Sequence, residues 1–218
     1  GLILVALLIA YLPSMYGTFS RRESAVTKLA VRAGVPLSSA EMIKRVYRIG
    51  ELHQLRGFWE EWEQVFAEIE ESHTSLAALV FFRSPNPKLS WVTASGMVMD
   101  SAAIILSAVD VPEEPKAALC LRAGFLALQR VASFFNIAFE PEPTYPDHPI
   151  SITRFEFDAL CDELAKQGVP LKDDREAAWT AFAGWRVNYD TVLTRLCALT
   201  MAPYAAWSSD RSPVRCDQ

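Results

Sequence analysis

Three sets of residues in this chain carry side chains from which chemistry could be built. They are the histidines at 53, 73 and 148, an isolated aspartate at 100, and the run Arg186-Val187-Asn188-Tyr189-Asp190. Imidazole is the side chain that titrates nearest neutral pH, so a histidine with a partner is the first place to look for acid–base or metal chemistry. The three histidines are far apart, and none belongs to an H-E-x-x-H pair that would hold a metal. His148 lies among prolines and His53 among Glu51, Gln54 and Arg56, on what reads as a wet surface. His73 differs: it follows Glu70 and Glu71 and precedes the apolar run 76–82, where a helix surface meets a core. Asp100 is the only charge between 91 and 109. A buried carboxylate is costly without a partner, and His73, Arg83 and Arg122 are the candidates. The 186–190 run sits amid aromatics at helical spacing, where it either lines a ligand pocket or ties helices together by hydrogen bonds. His73, Asp100, Arg186 and Asp190 therefore make up the candidate polar pocket.

Other chemistries find no foothold. No serine sits in a G-x-S-x-G elbow, and a chain with nine glycines has no glycine-rich phosphate cradle. The cysteines at 120, 161, 197 and 216 form no C-x-x-C pair and read as small apolar residues of a reducing compartment. The expectation is a non-enzyme without cofactor or metal. Net charge is −5, but residues 21–56 hold eight basic and three acidic side chains, +5 net, leaving −10 for the rest. An acidic body argues against nucleic acid as a partner. The basic stretch suits anionic lipid head groups.

What must position these groups begins with residues 1–20, GLILVALLIAYLPSMYGTFS, which contain no charge and run directly into Arg21 and Arg22. Twenty helical residues reach about 30 Å, the thickness of a bilayer's hydrocarbon. A secretory signal would carry its positive charge ahead of the apolar run rather than after it. A buried core helix is the competing reading, because the densest apolar stretch, 2–12, is short for a span. Tyr11, Tyr16 and Phe19 serve as interface aromatics, and Arg21, Arg22, Lys28 and Arg32 as the basic flank that places residues 21–218 in the cytoplasm. Tyr16, Arg21 and Arg22 are thus expected at the membrane interface. Pro13 lacks a backbone donor, and with Gly17 it makes a candidate hinge.

Beyond the span the pattern is helical throughout, with no alternating strand and no N-G or D-G hairpin. The first helix extends to about Ala33, where Gly34 and Pro36 end it. Ser38 and Glu41 form an S-x-x-E capping box. Residues 51–71 repeat Phe58, Trp62, Val65, Phe66 and Ile69 at helical spacing and fill the remaining positions with glutamates, a solvated face, a cation site or a docking surface for a protein partner. Residues 91–109 read as a central core helix, Ala- and Ser-rich rather than lipid-facing. A helix over 116–136 follows. Four of the thirteen prolines fall in 137–150, a connector that would divide two subdomains. Thr153 and Glu156 form a second capping box, and one long helix is expected over 175–200. The domain plan is a transmembrane helix with its extension over 1–33, a cytoplasmic multi-helix bundle over 38–200, and a flexible tail over 201–218. The fold class is all-α.

The junction Tyr11-Leu12-Pro13, Phe19 to Glu23, Val31 to Gly34 and Pro36 resembles the inner-helix end of bacterial potassium-channel-like membrane proteins of the two-transmembrane ion-channel superfamily. The likeness covers about residues 1–40, and the remainder is similar to the helical tail of such proteins. It implies a homo-oligomer in the cell membrane that moves potassium, residues 2–20 as pore-lining helix, and a soluble domain that assembles or gates the pore. The T-x-G-[YFL]-G filter that defines those proteins is not in this chain, so the resemblance places it upstream. The alternative is a helical small-molecule-binding or protein-interaction domain tethered to the membrane.

Overall fold

The computed structural model describes the backbone of residues 2–50, 52, 55–112 and 115–211, and side chains from Tyr11 onward. His53, Cys216, the apolar side chains up to Ala10 and the tail beyond Arg211 lie outside the described residues. Within them the protein is all-helical. Eight α-helices follow in order: α1 (Leu2–Ala33), α2 (Ser39–Arg48), α3 (Arg56–Ser75), α4 (Trp91–Ala108), α5 (Pro115–Phe134), α6 (Arg154–Lys166), α7 (Arg175–Arg186) and α8 (Asp190–Thr200). A 3₁₀ turn, Ala77–Phe81, links α3 to α4. One antiparallel bridge, Val109 with Leu171, ties the end of α4 to the α6–α7 loop.

α4 is the axle. Every residue from Trp91 to Ala108 except Leu106 is buried, and α1, α2, α5, α7 and α8 all pack on it. Its small polar residues suit this place because their hydroxyls bond back to their own helix. Ser95 donates to the Trp91 carbonyl at 2.8 Å, Ser101 to Met97 at 2.8 Å and Ser107 to Ala103 at 2.6 Å, so these three hydroxyls are satisfied within the core. By length and composition α4 and α5 are each apolar enough to cross a membrane, but 94% of α4 and 56% of α5 is buried inside the protein.

α3 lies along α5. Its buried stripe is Phe58, Trp59, Trp62, Phe66, Ile69, Ser72 and His73, the expected periodicity except that Trp59 is added and Val65 is only half-buried. The acidic face is met by bases from neighbouring helices: Glu61 pairs with Lys28 at 2.9 Å, Glu68 with Arg21 at 3.8 Å, Glu60 with Lys116 at 3.5 Å and Glu70 with Arg130 at 2.7 Å. Trp62 is 2% exposed, so a protein partner on this helix would meet glutamates, not tryptophans.

Local signals hold to differing degrees. The Thr153–Glu156 capping box is complete. At Ser38 only half of it forms: Ser38 accepts from the Glu41 amide at 3.3 Å, while the Glu41 carboxylate turns to Lys44 and Arg45. The long helix expected over 175–200 is two. It breaks at 187–189, where the Asn188 carboxamide donates to the Gly184 and Trp185 carbonyls at 2.9 and 3.1 Å and takes over the end of α7. The proline-rich connector does not divide the core. Ile137, Phe139, Tyr145 and Ile150 pack on one cluster that runs from Val26 to Cys197. The tail departs from the expected flexible segment at its start, since Ala205 and Ser208 are buried at 4% and 2% exposure.

Helices approach closely at Gly96, where an added Cβ would come within 2.7 Å of the Leu193 side chain, and at Gly124, where it would come within 2.8 Å of Met99 Sδ and 2.9 Å of the Phe66 ring. Gly184 on α7 has open space at the same position. Gly124→Val should therefore destabilise the fold by about 2–3 kcal/mol through overpacking. Gly184→Ala should stabilise it by roughly 0.5–1 kcal/mol through helix propensity. Urea denaturation followed by circular dichroism reads both, and equal signs would contradict this packing.

Candidate functional site

The candidate polar residues divide into two buried centres. Asp100, Arg186 and Asp190 come together with Tyr189. His73 stands apart, with Arg22.

In the first centre the Arg186 guanidinium, 0% exposed, spends every nitrogen. Its Nε donates to Asp190 Oδ1 at 2.7 Å, Nη1 to Asp100 Oδ1 at 2.6 Å and Nη2 to the Trp207 carbonyl at 2.6 Å. The Tyr189 hydroxyl donates to the same Asp100 oxygen at 2.8 Å, and the Tyr189 ring lies 4.9 Å from the guanidinium carbon. Asp190 is completed by Ser151, whose amide donates to Oδ2 at 2.9 Å and whose hydroxyl donates to Oδ1 at 2.7 Å. One cation thus fastens α4, α7, α8, the connector and the 205–208 turn. Burial works against the charge on Arg186, but Asp100 and then Asp190 outweigh it and hold the guanidinium above its ordinary value. Burial raises the Asp100 carboxyl, with Arg186 opposing, and raises the Tyr189 phenol, with Asp100 adding to the effect. The partners expected for Asp100 are elsewhere: Arg122 is exposed on α5 with its guanidinium 5.9 Å from the Phe125 ring, and Arg83 lines a separate cavity of about 230 Å³ beside Phe82 and Met201.

The second centre corrects the placement of Arg22. Expected on an outer basic flank, it is 5% exposed and turned into the body. Nη1 donates to the Leu79 carbonyl at 2.8 Å, which also accepts the Phe82 amide at 3.1 Å, and Nη2 to the Phe82 carbonyl at 2.7 Å, at the end of the 3₁₀ turn. Glu23 supplies the counter-charge, 2.9 Å from Nε. Arg22 Nη1 also lies 3.0 Å from His73 Nε2, and His73 Nδ1 lies 2.9 Å from Ser72 Oγ. Guanidinium can only donate, so Nε2 is the bare nitrogen. The proton sits on Nδ1 and points to Ser72, which in turn donates to the Glu68 carbonyl at 2.5 Å. The ring packs 4.6 Å from Trp91. Burial and the neighbouring Arg22 charge push its pKa down to about 3. A histidine held neutral by a cation and closed from solvent is a packing element, not a proton shuttle.

The remaining candidates lie on α1. The helix is continuous through Pro13 and Gly17, and no atom comes within 4 Å of a Cβ built on Gly17. Tyr16 is 70% exposed. Arg21 is exposed and pairs loosely with Glu68. Among the described residues no group of three or more His, Cys, Asp or Glu could hold a metal ion. Cys120, Cys161 and Cys197 are free and buried, and burial pushes the Cys197 thiol up to about 12.

Sequence reasoning assigned Arg22 to the outer basic flank, yet its spacing pointed inward. Met15, Arg22, Val26, Leu29 and Ala33 recur at steps of seven, four, three and four on the buried stripe of α1. Nothing local marked Ser151 or the Trp207 carbonyl as partners of the first centre.

No family model, curated protein or solved structure matches this chain.

Two outcomes follow from these centres. Arg186→Met leaves two buried carboxylates without their cation and should cost about 3–5 kcal/mol in urea unfolding. A loss under about 1 kcal/mol would mean the centre is not charged as described. The imidazole of an unfolded chain titrates near 6.5 while folded His73 resists protonation down to about 3, so the unfolded state gains a proton that the folded state refuses. The stability due to neutral His73 is complete above pH 6.5 and is lost as pH falls toward 3. His73→Gln should flatten that part of the stability-versus-pH curve relative to wild type, and parallel curves would refute the assignment.

Proposed function

We propose that this chain is the membrane-proximal part of a cell-membrane protein, in which α1 is both the spanning helix and a structural member of a cytoplasmic helical domain, residues 21–218. One observation carries the reading. Residues 11–14 of α1 are all exposed, Tyr11 at 46% and Leu12 at 57%, whereas from Met15 onward the same helix buries a stripe against the body. An uninterrupted helix that leaves Tyr and Leu to solvent on one side of Met15 and docks on the other suits a segment passing from lipid into protein.

The dimensions add a refinement. Residues 2–14 rise about 20 Å, two-thirds of a hydrocarbon layer, and residues 2–20 about 28 Å. A full span therefore includes Tyr16 and Phe19 at its boundary. Phe19 lies 6.4 Å from Tyr16 and 5.9 Å from Phe82, and Phe82 is itself 42% exposed. Such a collar of aromatics suits the depth of the head groups. Just beyond it Arg22 is bonded to two carbonyls of the 3₁₀ turn, so a tilt or rotation of α1 would pull directly on the α3–α4 link. The domain is well placed to hold or sense the position of the span without catalysis.

The narrower form of the reading is an oligomeric ion pore lined by α1, with the helical domain assembling or gating it. It draws on the sequence likeness at the 11–36 junction, and potassium flux into vesicles holding the complete gene product is its test; vesicles without flux would leave only the tether. For the tether itself, carbonate washing of cell membranes should leave the chain in the pellet, and Phe19→Asp should release at least half of it. Quantitative release of the wild-type chain by carbonate would end the reading.

A further inference from the structure

We propose that the cavity bounded by α2, α4, α6 and the 205–208 turn binds a small organic cation, an ammonium group on an apolar or aromatic body, with Asp100 as its counter-charge. The inference does not depend on whether α1 crosses a membrane.

The cavity has a volume of about 300 Å³, enough for a small organic molecule. Asp100 lies at its floor and is 2% exposed. Both hydrogen bonds that Asp100 receives, from Arg186 and from Tyr189, fall on Oδ1. Oδ2 has no partner among the described residues, although Asp100 forms part of the cavity lining. A carboxylate oxygen that opens on a cavity and receives no protein donor is an acceptor for a ligand N–H. Charge points the same way. The first centre holds two carboxylates, Asp100 and Asp190, against one guanidinium, Arg186. One more positive charge would balance it, and the cavity is the open side on which that charge could arrive.

The walls select the rest of the ligand. Glu156 and Glu163 also line the cavity, and no lysine or arginine does. Each of these glutamates is already engaged, Glu156 by Arg211 and Glu163 by Lys44 at 2.5 Å. They repel an anion while leaving Asp100 as the acceptor with spare capacity. Met97 and Leu160 supply aliphatic surface, and Trp207 and Phe155 supply aromatic faces of the kind that attract ammonium groups. Phe155 is 81% exposed on the rim, an exposure that a bound apolar body would reduce. An anionic or purely neutral ligand would use none of these features together.

The test uses the full chain with ¹³C-methyl methionine, which gives five probes. Met97 lines the cavity, and Met201, 71% exposed and absent from the lining, is the control. Phenethylammonium should shift the Met97 methyl saturably and leave Met201 in place. 2-Phenylethanol should bind at least about tenfold more weakly, and phenylacetate should give no shift. Asp100→Asn presents an amide N–H₂ or a weaker acceptor to the ligand and should weaken phenethylammonium about tenfold or more. Ala159→Trp fills the cavity from the exposed face of α6 without touching the core, and should abolish the shift. The proposal is overturned if Met97 does not move up to about 10 mM ligand, or if the alcohol binds as tightly as the ammonium. Unchanged binding to Asp100→Asn overturns it too. Should Asp100→Asn fail to fold, Ala159→Trp decides, since binding that survives a filled cavity excludes this site.

Discussion

The architecture depends on a single buried cation. Arg186 has no contact with water, and its three hydrogen-bonding directions end on α4, α8 and the turn near residue 207. An isolated guanidinium could not occupy that place, because its desolvation would exceed any packing gain. Asp100 and Asp190 make it tolerable, and Ser151 and Tyr189 in turn make the carboxylates tolerable. The result is geometric specificity more than net stability: hydrophobic packing would accept several angles between α4, α7 and α8, but the guanidinium fork accepts few. That explains how a central helix as smooth as α4, with alanine, serine and glycine along much of its length, is fixed in rotation.

The same logic recurs on a smaller scale at the other end of the molecule. Arg22 enters the body from α1 and meets the carbonyl ends of the 3₁₀ turn, with Glu23 as companion charge and a neutral His73 as a further acceptor. Each centre takes a cation from one helix and aims it at acceptors on another, so each sets a helix's rotation as well as its contact. α1 is thereby joined to the α3–α4 link by directional bonds, while α3 and α5 join largely through apolar surface edged with exposed ion pairs. Such exposed pairs contribute little individually, whereas the buried centres decide alignment.

Much of the fold was legible because helical periodicity is a local property. The α3 stripe, the Thr153–Glu156 box and the core character of 91–108 could all be read from neighbours a few residues apart. What failed was long-range. Asp100 visibly needed a partner, but that partner lies 86 residues away, and no local pattern chooses Arg186 over His73, Arg83 or Arg122. His73 looked like a pocket member because of its flanking glutamates, yet its ring faces Arg22 and Trp91. Arg22 looked like a flank because positive charge after an apolar run suits a membrane boundary, and that rule weighs composition without asking which face of the helix the charge occupies. The break at 187–189 was hidden because aromatic spacing continues across it. The cavity above Asp100 was invisible, since its walls come from four separate parts of the chain.

The 86 residues between Asp100 and Arg186 also order events at the ribosome. Translation at about 5–20 residues per second leaves Asp100 without its cation for roughly 4–17 s after it is made. During that interval α4 and α5 are two adjacent segments apolar enough to be mistaken for membrane spans. The unpaired carboxylate then has a second effect: on insertion scales a mid-helix aspartate disfavours lipid by about 2.5–3.5 kcal/mol. In a chain made at a membrane, the charge that later anchors the core would thus keep the nascent α4 from the bilayer before α7 has emerged to claim it.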